Sequence, residues 1–329
     1  MKNLPIILAI LLYILIYFLR LQQAVPAGRQ GGWEFNLDLF PKVRQGFDQR
    51  INQLLPSPQA ELLSGILLGQ NKKLPGQLKL ALRDTSTLHI VVASGQNLSM
   101  VAGFFLSLAG LIKRRHAIIL SLVAVVLYTL LTGVQVPILR AAIMFSLASL
   151  ATLFGRQRDG LWVLIVTAAL MLLVNPKWIL DLSFQLSFLA TFGVVIVAPI
   201  LLSYLKFMPI IGQDLVVTLS AQLMVTPIIA QNFHQISLVS LAANVLVLWT
   251  IPFIMVGGVV MLLLGQLAAV VVGVLLTYFI YIVQFFAHLP FAWEYIGEQS
   301  WIVWVGYYMV LAAVMLLLNN AKTEDFRRP

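Results

Sequence analysis

Residues 236–264 read ISLVSLAANVLVLWTIPFIMVGGVVMLLL and contain no charged side chain. A helix rising about 1.5 Å per residue crosses a hydrocarbon core of about 30 Å in roughly 20 residues, so this run is long enough to span. Lipid offers the backbone no hydrogen-bond partner, and an unbroken apolar run of this length reads as helix rather than as an alternating barrel strand. Working outward, comparable runs lie near 88–112, 117–133, 134–154, 160–174, 183–203, 211–230, 267–288 and 301–318. With Leu4 to Leu19 at the start they predict roughly ten spans by the window criterion. The fold class is therefore all-α: a polytopic helical membrane protein.

Composition agrees. Of 329 residues 60% are hydrophobic and 10% charged, where a soluble globular chain carries about 25% charged residues. Cysteine is absent, which excludes disulfides, thiolate metal sites and a cysteine nucleophile. His89, His116, His234 and His288 are scattered and lack the paired spacing of a zinc site, so no metal and no cofactor is expected. No phosphate loop of the G-x-x-x-x-G-K-[ST] type occurs, so the chain has no recognisable means of using ATP.

The first apolar run follows Lys2 and exceeds the usual signal-peptide core of about 7 to 15 residues, which predicts a retained anchor over residues 1–21. Residues 20–84 form the long polar stretch, with a net charge of +4. Within it, Ala60 to Leu68 reads as a short helix on the membrane surface. The expected organisation is a short extracytoplasmic linker at 22–58, a transmembrane domain at 59–319 and a cytoplasmic tail at 320–329. Basic loops at Lys113 to His116, at Arg156 to Arg158 and at Lys206, together with the tail, place both termini inside. The positive segment 20–84 then lies outside, against the positive-inside rule, so either the topology is inverted near the N-terminus or that charge has a partner there, nucleic acid phosphates or anionic headgroups.

Polar residues inside the apolar runs are the candidates for function. Ser94-Gly95-Gln96-Asn97 falls within the run from Leu88, and four such residues in succession cannot share one helical face, which predicts a broken helix lining a cavity or packed on neighbours. Ser99, Gly103 and Ser107 continue from Gly95 at steps of four, a small-residue stripe for close helix packing. Arg140 follows Pro137 near the start of its run and should face the bundle interior or reach to the interface. Gln185, Gln222 and Asn244 sit in other spans, and Ser237, Ser240 and Asn244 share one helical stripe. Each alone suits an interhelical hydrogen bond; together they suggest a polar path. Ser94 is not expected to be a nucleophile. His89 would lie about 140° away round a regular helix, and no G-x-S-x-G elbow exists.

Ala81-Leu82-Arg83-Asp84-Thr85 to His89, followed by Ala93-Ser94-Gly95-Gln96-Asn97, resembles the competence domain of the ComEC family of DNA-uptake channels, which typically reads A-F-R-x-T-G-x-x-H-L-L-A-I-S-G-x-H here. The likeness continues through Tyr128-Thr129 to Gly133, Pro137 to Met144 around Arg140, Gly155-Arg156, Asn175-Pro176, Leu182 to Phe188, Asn232 to Ser237 and Ala243-Asn244. It covers roughly residues 60–265. Asn97 stands where the family has a second histidine, so any titrating role of that position is lost. Two further departures from the family are expected: its soluble β-domain shortened to residues 22–58, and the metallo-β-lactamase-like domain of many relatives missing, so that no nuclease activity is expected of this chain.

The resemblance implies a channel component for uptake of single-stranded DNA, set in the cytoplasmic (inner) membrane and not itself an enzyme. Lys72, Lys73, Lys79 and Arg83 are then expected to contact DNA at the outer mouth. Ser94, Gly95, Gln96, Asn97, Arg140, Gln185, His234 and Asn244 are expected to line or shape the path. Membrane lipid, a separate DNA receptor, a cytoplasmic DNA motor and a separate nuclease are the implied partners, with room for a homo-oligomer. The rivals are a secondary transporter of a small anionic solute, which broken helices also suit, and a truncated relative with an assembly role.

Overall fold

The structure, a computed structural model, describes residues 12–17, 19–21, 39–91, 94–157, 159–204 and 211–325. The expected anchor at 1–21 and linker at 22–58 fall partly outside these residues. In chain order the helices are α1 (Pro41–Leu54), α2 (Gln59–Leu68), α3 (Gly76–Asp84), α4 (Leu88–Val91), α5 (Gly95–Ser107), α6 (Arg114–Thr132), α7 (Val136–Leu153) and α8 (Gly160–Val174). There follow α9 (Leu182–Tyr204), α10 (Ile211–Phe233), strand β1 (Gln235–Ser237), α11 (Ser240–Leu248), α12 (Ile251–Leu264), α13 (Gln266–Ala287), strand β2 (Trp293–Tyr295) and α14 (Trp301–Asp325). The two strands pair antiparallel, Ile236 opposite Glu294, and tie the α10–α11 connection to the α13–α14 connection.

Among the described residues six helices are long and apolar enough to cross a membrane: α6, α7, α9, α10, α13 and α14. The pair α11 and α12 adds a seventh if its halves, bent by 43°, are one span. The bend falls at Trp249 and Thr250, just before Pro252, which has no N–H for the Leu248 carbonyl four residues back. Of the ten expected spans the first, from Leu4 to Leu19, lies mostly outside the described residues, and two others fall short for local reasons. The run at 88–112 is divided at Ser94 into α4 and α5, and α8, at 15 residues, reaches only about 22 Å. The chain is a multi-pass membrane protein, and its exposed surfaces say the same. On α13, Leu267, Val270 and Val274 face outward uncovered while Val272, Leu276 and Phe279 are buried, so the helix is apolar all round.

The centre of the packing is α2, which corrects the expected surface helix at Ala60 to Leu68. Ala60 and every residue from Leu62 to Leu68 are buried. The reason is compositional: in QAELLSGILL only Glu61 and Ser64 are polar after the first residue, and a helix without a polar face belongs inside. Around it, Ile51 of α1, Leu82 of α3, Val91 of α4, Ile254 of α12 and Phe279 of α13 join one apolar cluster. Gly65 permits the closest approach: a Cβ there would lie 2.5 Å from the Val91 side chain. The stretch from Pro41, expected as linker, is thus helical and shares its core with the membrane helices.

On the other side, α9 and α10 pack together, and α10 carries α14 through polar contacts. Pro227 inside α10 leaves the Leu223 carbonyl without its helical donor. The Tyr307 hydroxyl donates to that carbonyl at 3.0 Å, and Tyr308 donates to Met224 O at 2.8 Å. Trp304 adds a bond from Nε1 to Gln231 Oε1. No residue in the apolar window of α14 is buried, so these bonds do much of its docking.

Candidate functional site: a three-helix junction at the broken span

Helix α5 starts where it does because Ser94, with extended backbone, accepts the Asn97 N–H on its side chain at 3.3 Å. The break therefore lies at Ser94, and Gly95, Gln96 and Asn97 form the first helical turn. Asn97 is 1% exposed. Its Oδ1 accepts from Ser94 Oγ at 3.1 Å, and its Nδ2 donates to Ile66 O at 3.0 Å. Ile66 belongs to the last turn of α2, whose carbonyls have no helical donors of their own. The αL residue Gly69 and Gln70 serve Gly65 O and Ser64 O through their backbone N–H groups. Asn97 serves Ile66 O, and Gln135 Nε2 serves Gly69 O at 3.2 Å. Gln135 is the residue before α7. The C-terminus of α2 is thus closed by one amide from the start of α5 and one from the start of α7.

The starts of α5 and α7 also touch directly. A Cβ on Gly95 would meet Arg140 Nη2 at 2.9 Å and Ala141 Cβ at 3.1 Å. Gly95, having no Cβ, leaves room for Arg140 Nη2 and the second turn of α7 against the first turn of α5. The Arg140 guanidinium lies over the Phe188 ring of α9, Cζ 6.0 Å from the centroid. Its Nε is buried and has no hydrogen-bond partner. Among the described residues the ion pairs are Lys73 with Asp48 and Arg83 with Asp84, and no carboxylate pairs with Arg140. The Tyr128 hydroxyl sits beside Asn97 but is buried short of hydrogen-bond geometry.

Gln222, Asn244 and His234 sit on other elements, from α10 to α11. Gln222 Nε2 donates to Ser240 Oγ between α10 and α11, and the buried Gln222 Oε1 and Asn244 Oδ1 have no partner. Ser220 Oγ, one turn from Met224, is likewise buried and unpartnered. His234 turns the chain from α10 into β1 with a positive φ of 55°, and its Nδ1 is buried without a partner. Gln185 binds Ile179 O at 2.9 Å, a local bond at the start of α9. A groove of about 600 Å³ between the α1–α2 turn and α13, and one of about 320 Å³ between the α5–α6 hairpin and α7, are lined by none of these residues.

Of the four expected DNA contacts, Lys73 is ion-paired to the buried Asp48, which also accepts from Ser64 Oγ. Arg83 pairs with its neighbour Asp84 at 3.0 Å. Lys72 and Lys79 are exposed, on the turn after α2 and on α3. Sequence reasoning passed over Gln135, Phe188 and Asp48. Gln135 had a signal: it precedes Val136-Pro137, the pattern of a residue just before a helix with proline in its first turn. The other two depend on partners distant in sequence.

Residues 66–321 match the family described as competence protein. ComE operon protein 3 of Bacillus subtilis (strain 168) is 30% identical over 224 residues, which cover 66% of this chain and 28% of that protein. The uncharacterized protein YcaI of Escherichia coli (strain K12) is 30% identical over 223 residues, 61% of this chain and 28% of YcaI. An uncharacterized protein of Aquifex aeolicus (strain VF5) is 34% identical over 133 residues, 40% of this chain and 32% of its own length. No solved structure matches. The matched region spans under a third of the length of these relatives.

Proposed function

The chain belongs to the competence protein family, and from that premise we propose that its helices form a channel component for uptake of single-stranded DNA across the cytoplasmic membrane. One observation supports a polar cargo above all. Buried polar atoms without partners recur on separate membrane helices: Arg140 Nε on α7, Ser220 Oγ and Gln222 Oε1 on α10, Asn244 Oδ1 on α11. Each is costly in an apolar bundle unless water or a polar ligand meets it. On this reading Lys72 and Lys79 meet DNA at the outer face, and the chain supplies passage and no catalytic step. Each phosphate that enters opposes an inside-negative potential at about 2.3 kcal/mol per charge per 100 mV. On this reading the passage works with a cytoplasmic motor, a surface receptor and a nuclease.

Deletion in the native host tests the reading: transformation should be lost while labelled DNA still binds the cell surface. Retained transformation removes the function. Arg140→Leu and Asn97→Leu, checked for membrane insertion, should each lower entry of labelled DNA into a nuclease-resistant state, and normal entry takes both residues off the path. The bent pair α11–α12 with the unpartnered Asn244 Oδ1 favours a second reading, a transporter of a small anionic solute. Under that reading, deletion leaves transformation intact and abolishes solute accumulation.

A further inference from the structure

We propose that the meeting point of the α5 and α7 N-termini, with Arg140 between them, is a binding site for a single phosphodiester of a nucleic acid strand. This rests on the reading of the chain as a DNA conduit and adds the place and chemistry of one contact.

Two helix starts and Arg140 bring positive charge to this junction, against the half-negative C-terminus of α2. An α-helix leaves its first N–H groups without helical acceptors and carries roughly half a positive charge at that end. On α5, Ser94 takes up the N–H of Asn97 by its hydroxyl and that of Leu98 by its carbonyl, leaving Gly95 and Gln96 as the donors of an anion-binding turn. On α7, the residue that would cap the helix, Gln135, turns its side chain to Gly69 O instead. Helix ends alone are common and bind nothing. The second observation is Arg140: its Nη2 lies against Gly95, its Nε is enclosed and unpartnered, and no acid answers it among the described residues.

An unpaired guanidinium in an apolar bundle costs several kcal/mol. The Phe188 face, at 6.0 Å, returns only a fraction of that. An anion with two or more oxygens would take the planar fork of Arg140 and the first-turn N–H groups of α5 together, which fits phosphate geometry. The opposing half-charge, the C-terminus of α2, is already occupied by the Asn97 and Gln135 amides. A phosphodiester, with one negative charge and two free oxygens, matches this donor set. Ser94 and the exposed Gln96 border the same turn and leave it a side open to a strand.

The test uses the full chain in phosphatidylcholine nanodiscs, titrated with fluorescent oligothymidylate and with its uncharged methylphosphonate counterpart. Arg140→Gln should weaken oligothymidylate binding about tenfold or more, as loss of a charge-assisted pair requires. Arg140→Lys should fall between, and the methylphosphonate strand should not distinguish the three proteins. Gly95→Ala keeps the charge but places a Cβ 2.9 Å from Nη2, and should weaken binding in the same direction. Monodisperse elution of each variant guards against misfolding, and Gly95→Ala tests the site with the charge kept. Oligothymidylate bound by Arg140→Gln and Gly95→Ala as by the wild type overturns the site and leaves the conduit standing. A wild type that binds no oligothymidylate overturns both. In phosphatidylglycerol nanodiscs, lipid retained by the wild type and lost by Arg140→Gln, with oligonucleotide binding unchanged, reassigns the site to a lipid headgroup and overturns it as a DNA contact.

Discussion

Asn97→Leu removes one side-chain amide and leaves its neighbours in place. Asn97 is 1% exposed, so the Ile66 carbonyl it serves has no water to turn to. An orphaned buried acceptor costs about 1 to 3 kcal/mol, and the Ser94 hydroxyl loses its acceptor as well. Leucine returns some of this by burial, so the expected loss is about 1 to 2 kcal/mol. Asn97→Asp has nearly the same shape and separates two effects. A carboxylate at the third position of α5 is favoured by the helix end, by about 0.3 to 1 kcal/mol. It is acceptor-only, however, and would face the Ile66 carbonyl and the negative end of α2 in a buried site, where an uncompensated charge costs about 3 to 5 kcal/mol. Desolvation and repulsion therefore win, and Asn97→Asp should be the less stable of the two. Urea titration of the full chain in detergent micelles, followed by the emission of its 7 tryptophans, measures the order. Asn97→Leu within about 0.5 kcal/mol of the wild type, or Asn97→Asp more stable than Asn97→Leu, would refute the closing role of Asn97 at the end of α2.

Two further outcomes follow from buried polar contacts. Tyr307→Phe should destabilise the docking of α14 by about 1 to 3 kcal/mol, because it strips the donor from a carbonyl that Pro227 has freed. Pro227→Ala restores an N–H to that carbonyl, so in its background Tyr307→Phe should cost clearly less; an equal cost, read by hydrogen exchange over α14, removes the explanation. Lys73→Met should lower thermal stability by isolating the Asp48 carboxylate, and the double variant with Asp48→Asn should recover part of the loss. No recovery means that Lys73 contributes packing rather than charge.

The membrane-crossing helices were legible because lipid imposes one rule on every span. Runs near 117–133, 134–154, 183–203, 211–230, 267–288 and 301–318 each became one helix within a few residues. What the runs could not show is which apolar segment lies between the others. α2 is too short to span and has no amphipathic face, and its burial follows from α1, α12 and α13 closing round it. The break near Ser94 was legible from polarity, but its register was set by the Ser94 cap, which draws Gly95 to Asn97 into the helix. The partners of Asn97 and Lys73 lie 31 and 25 residues away, on other helices, beyond the reach of local pattern. Within the candidate site, Gly95, Asn97 and Arg140 were singled out from sequence; that they meet is tertiary.

A passage for a polyanion has to hold each charge firmly enough to admit it and loosely enough to let it leave. A groove lined with many basic residues would fail the second requirement, since every neutralised phosphate adds affinity and a steeper dependence on salt. The junction at Ser94 has a different balance. Its positive charge is one guanidinium and two helix ends of about half a charge each, and the end of α2 holds an opposite half-charge in the same place. Arg140 pays its desolvation once, in folding, so an arriving phosphate meets donors already oriented. The cost of keeping that guanidinium unpaired is carried by the apolar core round α2, where Ile66, Leu82 and Phe279 are fully buried. On the proposed reading, the packing of α1 to α4 inside the bundle is therefore part of the mechanism: it fixes the end of α2, and through Asn97 and Gln135 it fixes the two helix starts that face the strand.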